Sequence, residues 1–204
     1  MSIMTTRNVW SYISSVPIVL LLAGFEPAHA ATPNLAINGS FEVNAACASA
    51  TTTIHGWNVI AGNVDLDSAA CSTIPADQGN FWVDLTGTGS PGTIERNLLT
   101  KVGTNYSLTF AFGGNPQCQN GANGGDDTPI KSMRVLLNGV IVGQYSVNIA
   151  GNATNDPAWE HAAIFFAAVS SPTVFDFQSL NGDGVTSSTV CGPLLDNVRV
   201  LAIQ

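Results

Sequence analysis

A chain of 204 residues is long enough to fold as one domain with a sizeable core. Its formal net charge at neutral pH is −8. The negative charge repels nucleic acid and anionic lipid, which excludes both as the main partner. Only 10% of the residues are charged, and the 20 glycines accompany many Asn, Thr and Ser residues. This composition favours strands and turns over solvated helices.

The first thirty residues have the layout of a secretory signal peptide. Arg7 lies in a polar segment, residues 16–25 form an apolar run too short for a comfortable membrane span, and Ala28-His29-Ala30 provides small residues at a cleavage point. We therefore predict a signal peptide at residues 1–30 and a single secreted β-sandwich domain at residues 31–204. No later stretch reaches the length of a membrane helix, so we expect no membrane span after cleavage.

Four cysteines follow the predicted signal peptide, and an even number in a secreted chain indicates disulfide bonds. Three pairings are formally possible. The chain has no C-x-x-C pair, which argues against a zinc ribbon or a thioredoxin-type redox site. We favour Cys47–Cys71, which closes a loop in the N-terminal region, and Cys118–Cys191, which joins a long loop to the last strand.

Short alternating runs separated by Gly, Asn, Asp and Pro predict an all-β sandwich or barrel. Asn138-Gly139 between two apolar runs predicts a two-residue type I′ hairpin. One long loop is predicted at residues 113–129. The predicted strands are residues 35–43, 55–60, 63–67, 80–85, 93–99, 106–112, 132–137, 140–147, 160–169, 173–180 and 195–203.

Two carboxylates in these strands suggest a cation site. Glu42 lies on the polar face of the first predicted strand, whereas Asp196 shares the apolar face of the last strand with Val198 and Val200. A carboxylate that faces a core is costly unless it is paired, hydrogen-bonded or bound to a cation. Calcium bound by oxygen ligands is one solution. The alternative is that Asp196 caps backbone amides near Gly192-Pro193 and that Glu42 is solvated.

The order of motifs resembles a known family. NLAINGSFE, IHGWNV, GNVDL, WVDLTGTGSPGTIER, GTNYSLTFAFGGNP and CGPLLDNVRVL are similar to the bacterial choice-of-anchor C secreted proteins. They also resemble the related plant cell-wall proteins catalogued as a domain of unknown function. The resemblance implies a galactose-binding-like jelly-roll β-sandwich, as in many carbohydrate-binding modules. It also implies a structural calcium ion at Glu42 and Asp196 and, from the plant relatives, an association with cell-wall polysaccharide.

Sugar binding requires aromatic faces and hydrogen-bonding side chains. Trp57 is more typical of the core. Trp82 and Asp84 share one face of their predicted strand, where they form either a saccharide platform or a pair covered by a neighbouring loop. Trp159, at a loop rim, and Asn115, in the long loop, are further ligand-binding candidates, for which structural roles remain the alternative.

Catalytic motifs are weak. Thr88-Gly89-Ser90-Pro91-Gly92 departs from the G-x-S-x-G pattern, and His55 and His161 have no adjacent nucleophile motif. A pair of carboxylates could still serve a glycosidase. We predict a secreted, non-catalytic polysaccharide-binding β-sandwich with a structural calcium ion. The alternatives are a structural or adhesive extracellular protein that acts through protein–protein contacts, and a small secreted hydrolase.

Overall fold

The computed structural model describes residues 32–118, 128–181 and 190–203. The predicted signal peptide and the middle of the predicted long loop lie outside these residues. Within these ranges, no helix has the length and apolar composition needed to cross a membrane. The signal peptide therefore stays a prediction, and the domain described below begins at Thr32.

Two six-stranded antiparallel sheets pack face to face as a jelly-roll β-sandwich, which confirms the predicted fold class. Sheet A has the order β1-β4-β5-β14-β9-β12 and sheet B the order β11-β10-β13-β8-β3-β2, while β6 and β7 form a small ribbon. The strands are β1 (Ala48–Thr51), β2 (Thr53–Ile54), β3 (Trp57–Ala61), β4 (Val64–Ser68), β5 (Phe81–Asp84), β6 (Thr86–Gly87), β7 (Ser90–Pro91), β8 (Thr93–Leu98), β9 (Asn105–Gly114), β10 (Ile130–Leu137), β11 (Val140–Asn148), β12 (Glu160–Ala167), β13 (Thr173–Ser179) and β14 (Pro193–Ala202).

The core lies between the sheets and is rich in aromatic rings. Every second residue of β13 is buried, as expected for a strand with one face on the core. Phe110 of sheet A meets Phe177 of sheet B edge to face, with ring centroids 5.0 Å apart. Trp57 is 5% exposed and packs against Phe175, which confirms its predicted place in the core.

The predicted hairpin between β10 and β11 is confirmed. Asn138 and Gly139 have φ values of 48° and 77°, and a type I′ turn requires positive φ at both central residues. Ten of the eleven predicted strands correspond to observed strands to within two residues at each end. The short strands β1, β2, β6 and β7 were not predicted from the sequence.

The predicted first strand is wrong: residues 35–43 form turns. Asn38 and Phe41 have φ values of 55° and 60°, which breaks the extended backbone. As a result, Ile37 and Val43 are 65% and 59% exposed instead of facing the core. The segment still runs beside the last strand, since Val198 N–H donates to Gly39 O over 2.8 Å.

A β-bulge in β14 changes which face of sheet A carries Asp196. Asp196 pairs with Ala111 and Arg199 pairs with Thr109, so β14 has one residue more than β9 over this interval. Asn197 supplies the extra residue with a φ of 51°. The prediction that Asp196 shares a face with the valines that follow it is therefore wrong: those valines face the core, whereas Asp196 faces the outer side of the sheet.

Candidate functional site

A loop of residues 69–80 crosses the outer face of sheet A between β4 and β5. The Cys47–Cys71 disulfide ties its first turn to the residue before β1, and the Cys118–Cys191 disulfide joins the segment after β9 to the segment before β14, so both predicted pairings are confirmed. Ile74 of the loop is buried against Trp82. This 69–80 loop therefore divides the outer face of sheet A into a covered part and an uncovered part.

Trp82 lies in the covered part and offers no face to a sugar. Its side chain is 0% exposed and packs between Ile74 and Leu194. The predicted faces of β5 are correct, because Val83 faces the core between the sheets while Trp82 faces the outer side of sheet A. The prediction of Trp82 as a saccharide platform is nevertheless wrong for this structure, since stacking on a sugar requires an accessible ring.

Asp84 and Asn115, two further ligand-binding candidates, meet each other in the interior. Asn115 Nδ2 donates to Asp84 Oδ2 over 2.9 Å, and the backbone N–H groups of Thr86 and Gly192 donate to Asp84 Oδ1 over 2.8 and 3.0 Å. Asp84 is 1% exposed and Asn115 is 5% exposed. This network fastens the ends of β5, β9 and β14, so both residues have structural roles here instead of accessible binding roles.

Burial changes the proton affinity of this network. Desolvation raises the pKa of Asp84 to about 7, although the hydrogen bonds from Asn115, Thr86 and Gly192 oppose the shift. A carboxyl group whose pKa is near neutrality exchanges its proton within the physiological range. The stability of the domain is therefore expected to depend on pH.

Trp159, the remaining ligand-binding candidate, also supports the 69–80 loop. Its indole N–H donates to Pro75 O over 2.9 Å, and the ring packs on the cluster that contains Trp82 and Ile74. Its side chain is half-buried. Trp159 therefore borders the covered part of the sheet and helps to hold the loop in place.

Glu42 and Asp196 accept hydrogen bonds from opposite ends of residues 78–81, where the 69–80 loop leads into β5. Asp196 Oδ2 accepts the N–H of Gln78 over 2.8 Å, while Glu42 Oε1 accepts the N–H groups of Asn80 and Phe81, both over 2.8 Å. Asp196 is 0% exposed, whereas Glu42 is exposed. The two carboxylates therefore come to the same region, and in this structure both accept backbone amides.

The environment of Asp196 favours its neutral form. Desolvation raises the pKa of Asp196 to about 7, with a smaller contribution from the nearby Asp77 carboxylate. Asp77 in turn accepts a 3.0 Å hydrogen bond from Asn197 Nδ2 and lies 2.9 Å from His161 Nε2. These contacts attach the edge of the 69–80 loop to β12 and β14.

Beyond this edge, no segment within residues 32–118, 128–181 or 190–203 covers the outer face of sheet A, and we call this part the open face. Its floor consists of small side chains, since Thr109 and Ala163 are direct neighbours across β9 and β12. Phe165 rises at one side and is 72% exposed; no other aromatic side chain of the described residues is comparably exposed. The open face comprises Ser107, Thr109, His161, Ala163, Phe165, Arg199 and Leu201.

Two shallow depressions meet at Arg199. One, of about 380 Å³, is lined by His161, Ala163 and Arg199 and lies on the open face. The other, of about 530 Å³, extends from Arg199 to Gln78 and Glu42. Arg199 is exposed and has no ion-pair partner among the described residues. Together the depressions form a surface that runs across the strands, with hydrogen-bonding groups along its length.

Phe165 and Arg199 were not among the ligand-binding residues predicted from the sequence. The alternation in β12 separates His161, Ala163 and Phe165 from Ala162, Ile164 and Phe166. Because both sets are largely apolar, the pattern alone does not show which set faces the core. For Arg199, the bulge before it obscures the alternation of β14.

Solved structures with a similar fold include an adhesin domain and carbohydrate-binding modules. The K2 cleaved adhesin domain of Lys-gingipain has a TM-score of 0.51 and 13% identity over 81% of this chain and 97% of that one. TmCBM61, solved in complex with β-1,4-galactotriose, has a TM-score of 0.50 and 16% identity over 84% and 100%. A family 35 carbohydrate-binding module from Clostridium thermocellum has a TM-score of 0.46 and 19% identity over 78% and 98%.

At these identities, the likeness of the first two structures establishes the fold alone. No curated protein matches the chain. The family described as "Protein of unknown function (DUF642)" matches residues 34–201, nearly the whole of the described domain. The chain therefore belongs to the DUF642 family.

Proposed function

We propose that this protein is a secreted, non-catalytic module that binds polysaccharide on the open face of sheet A. The observation that carries the proposal is the isolated exposure of Phe165 beside a floor of small residues. An exposed ring of this kind offers a flat apolar surface to the C–H groups of a sugar. Arg199 and His161 supply hydrogen-bond donors for sugar hydroxyls at the same surface.

The fold is compatible with this role, since TmCBM61 has a similar fold and was solved with a β-1,4-linked galactotriose. The open face and the depression beyond Arg199 extend from β12 across β9 and β14 to the turns at residues 34–39, which hydrogen-bond to β14. Three strand spacings correspond to about 14 Å. A site of this length suits several consecutive rings of a chain better than a single sugar. The proposed ligand is therefore a polysaccharide.

Replacement of Phe165 tests the proposal. We expect Phe165→Ala to weaken polysaccharide binding about tenfold or more, because the main stacking surface is lost. Binding is measured by affinity electrophoresis and calorimetry on a panel of β-1,4-galactan, xylan, cellulose and pectin. Ile141→Ala, which removes an exposed apolar side chain from β11 in the other sheet, is the matched control and should bind like the wild type. Absence of wild-type binding across the panel, or equal binding by Phe165→Ala, would refute the proposal.

We also propose that Glu42 and Asp196 hold a structural calcium ion. Carboxylate and carbonyl oxygens are the ligands that calcium prefers. Glu42 Oε2 is the least engaged oxygen of the pair, since its nearest donor, Asn80 Nδ2, is 3.5 Å away. Among the described residues no group of three or more His, Cys, Asp or Glu side chains can hold a metal ion. Backbone carbonyl oxygens would therefore supply much of the coordination.

Chelation tests the calcium proposal. If calcium links Glu42 to the last strand, a chelator should lower the melting temperature of the wild type by several degrees, and added calcium should restore it. Glu42→Gln should melt at the same temperature in both conditions. Asp156→Asn, an exposed carboxylate in the loop before β12, is the control that should keep the response. Identical melting of the wild type with and without chelator would leave Glu42 and Asp196 as acceptors of backbone amides only.

Export of the domain is part of the proposed function. The predicted signal peptide would deliver the chain to an oxidising compartment, and the two disulfides suit such a compartment. An extracellular or cell-surface address would bring the open face into contact with extracellular glycans.

A further inference from the structure

Strand β12 is a long, free edge of sheet A. It pairs with β9 through eight consecutive residues, without a bulge, and no described strand pairs with its other side. An edge of this kind presents a row of unpaired backbone N–H and C=O groups. The opposite edge of sheet A, β1, has only four residues.

The backbone bonds at the end of β12 show which residues face the free side. Ala168 N–H donates to Thr104 O over 3.0 Å, and Ala168 O accepts Gly103 N–H over 2.8 Å, so Ala168 directs both groups toward β9. Because these directions alternate along a strand, the residues at odd positions direct their groups outward. Those residues are His161, Ala163, Phe165 and Ala167.

The free side of β12 has few of the features that prevent edge-to-edge pairing. Natural edge strands are protected by lysine, proline, bulges or inward-facing charges. Strand β12 contains no lysine or proline, and its one acidic residue, Glu160, stands at its first position. In contrast, the other long edge, β11, has a bulge, since Val142 is an extra residue between the pairs Val135–Gly143 and Leu136–Ile141.

We propose that β12 is the interface between two copies of this chain, paired antiparallel about a two-fold axis at Ile164. The axis is normal to the sheet, so side chains on the outer face of one copy adjoin side chains on the outer face of the other. Ala163 then lies opposite Phe165 of the second copy, and His161 lies opposite Ala167 of the second copy. All four outward-directed backbone positions of each strand are paired, and each large ring faces a small side chain.

The residues of β12 favour a second copy as the occupant, because the proposed register brings no like charges together. The net charge of −8 opposes association of two copies, so they can approach closely only where the contacting strand is uncharged. In the proposed register, Glu160 lies opposite Ala168 of the second copy and far from the other Glu160. No pair of like charges therefore meets across the strand.

The interface goes beyond the proposed function and does not depend on it. Edge pairing leaves the outer faces of both sheets exposed, so the two open faces become neighbours on one continuous twelve-stranded sheet. A polymer that occupies both faces would gain from the high effective concentration of the second site. The pair of open faces would then bind a long chain more tightly than a short one.

Sedimentation of the full domain tests the interface. We expect a concentration-dependent dimer for the wild type and a dissociation constant at least about tenfold larger for Ala163→Pro, which removes an outward N–H without disturbing the bonds to β9. Ala163→Lys is the second variant and should weaken the dimer as well. Ser146→Lys, on the exposed surface of β11, is the control and should dimerise like the wild type.

Cysteine cross-linking tests the register. A mixture of Ala163→Cys and Phe165→Cys copies should form an intermolecular disulfide, because these residues are opposite each other at a spacing that a disulfide spans. Each variant alone should remain largely uncross-linked. A wild type that is monomeric at all concentrations, or a dimer that Ser146→Lys disrupts and Ala163→Pro does not, would overturn the proposal whether or not the protein binds a glycan.

Discussion

Trp82→Ala should lower the free energy of unfolding by about 3–5 kcal/mol, the range for removal of a large aromatic side chain from a packed interior. Trp82 is 0% exposed and fills the space between sheet A and the 69–80 loop, where Ile74 and Leu194 contact it. Its loss leaves a cavity that the loop fills only in part, because a disulfide at Cys71 restrains the loop. Chemical denaturation followed by circular dichroism measures the effect.

Trp82→Phe is the matched control for this prediction. The indole N–H of Trp82 is buried and has no hydrogen-bond partner among the described residues, so its removal costs no hydrogen bond. We expect Trp82→Phe to retain most of the stability lost in Trp82→Ala and to bind polysaccharide like the wild type. A destabilisation below about 1 kcal/mol for Trp82→Ala would show that the ring is not buried as described. Loss of glycan binding by a stable Trp82→Phe would instead indicate that Trp82 belongs to the binding site.

The domain should become less stable as the pH rises from about 4 to about 7. The pKa of Asp84 is 3.8 in an ordinary environment and about 7 in the folded domain, because burial disfavours the charged form. Between these values the folded state binds more protons than the unfolded state, so the free energy of unfolding falls with rising pH. In the absence of calcium, burial shifts the pKa of Asp196 in the same direction, so the profile is measured in the presence of a chelator. The loss expected from Asp84 alone is on the order of 4 kcal/mol, at about 1.4 kcal/mol per pKa unit.

Asp84→Asn separates the contribution of Asp84 from that of Asp196. The substitution replaces a carboxyl oxygen, which accepts the hydrogen bond from Asn115, by an NH₂ group that cannot accept it, so we expect a destabilisation of about 1–3 kcal/mol at pH 5. The decline in stability between pH 4 and 7 should also become shallower. Glu160→Gln, an exposed carboxylate in β12, should keep the wild-type profile. An unchanged pH profile in Asp84→Asn would contradict the raised pKa.

The long strands and the disulfides could be predicted because their signals are local. In β13, every second residue is buried, so the alternation in the sequence directly reflects the two faces of the strand. Asn138-Gly139 is equally informative, because few residue pairs adopt positive φ at both positions. The disulfide pairing followed from the positions of Cys47, Cys71, Cys118 and Cys191 relative to the predicted strands and loops.

The site could be predicted only in part, because single residues interrupt the alternation that assigns side chains to one face of a strand or the other. Asn38 and Phe41 turn a segment with strand-like alternation into a series of turns. Asn197 adds one residue to β14 and thereby moves Asp196 to the other face of sheet A. Neither event changes the composition or the hydrophobic period enough to be recognised in the sequence.

Accessibility was the second quantity that sequence patterns did not provide. The parity of Trp82 was correct, but its exposure depends on the 69–80 loop, which has no periodicity and is placed by contacts with Glu42, Asp196 and Trp159. Phe165 was missed for the converse reason: one face of β12 is as apolar as a core face, yet none of the described segments covers it.

Chemical-shift mapping by NMR tests the location of the binding site most directly. On titration with an oligosaccharide of whichever polysaccharide binds, we expect the largest backbone amide shifts to cluster at Thr109, Ala163, Phe165 and Arg199. Amides on the outer face of sheet B, such as that of Glu95, should remain unchanged. Shifts confined to sheet B, or no shifts with any glycan that the protein is shown to retain, would contradict binding at the open face.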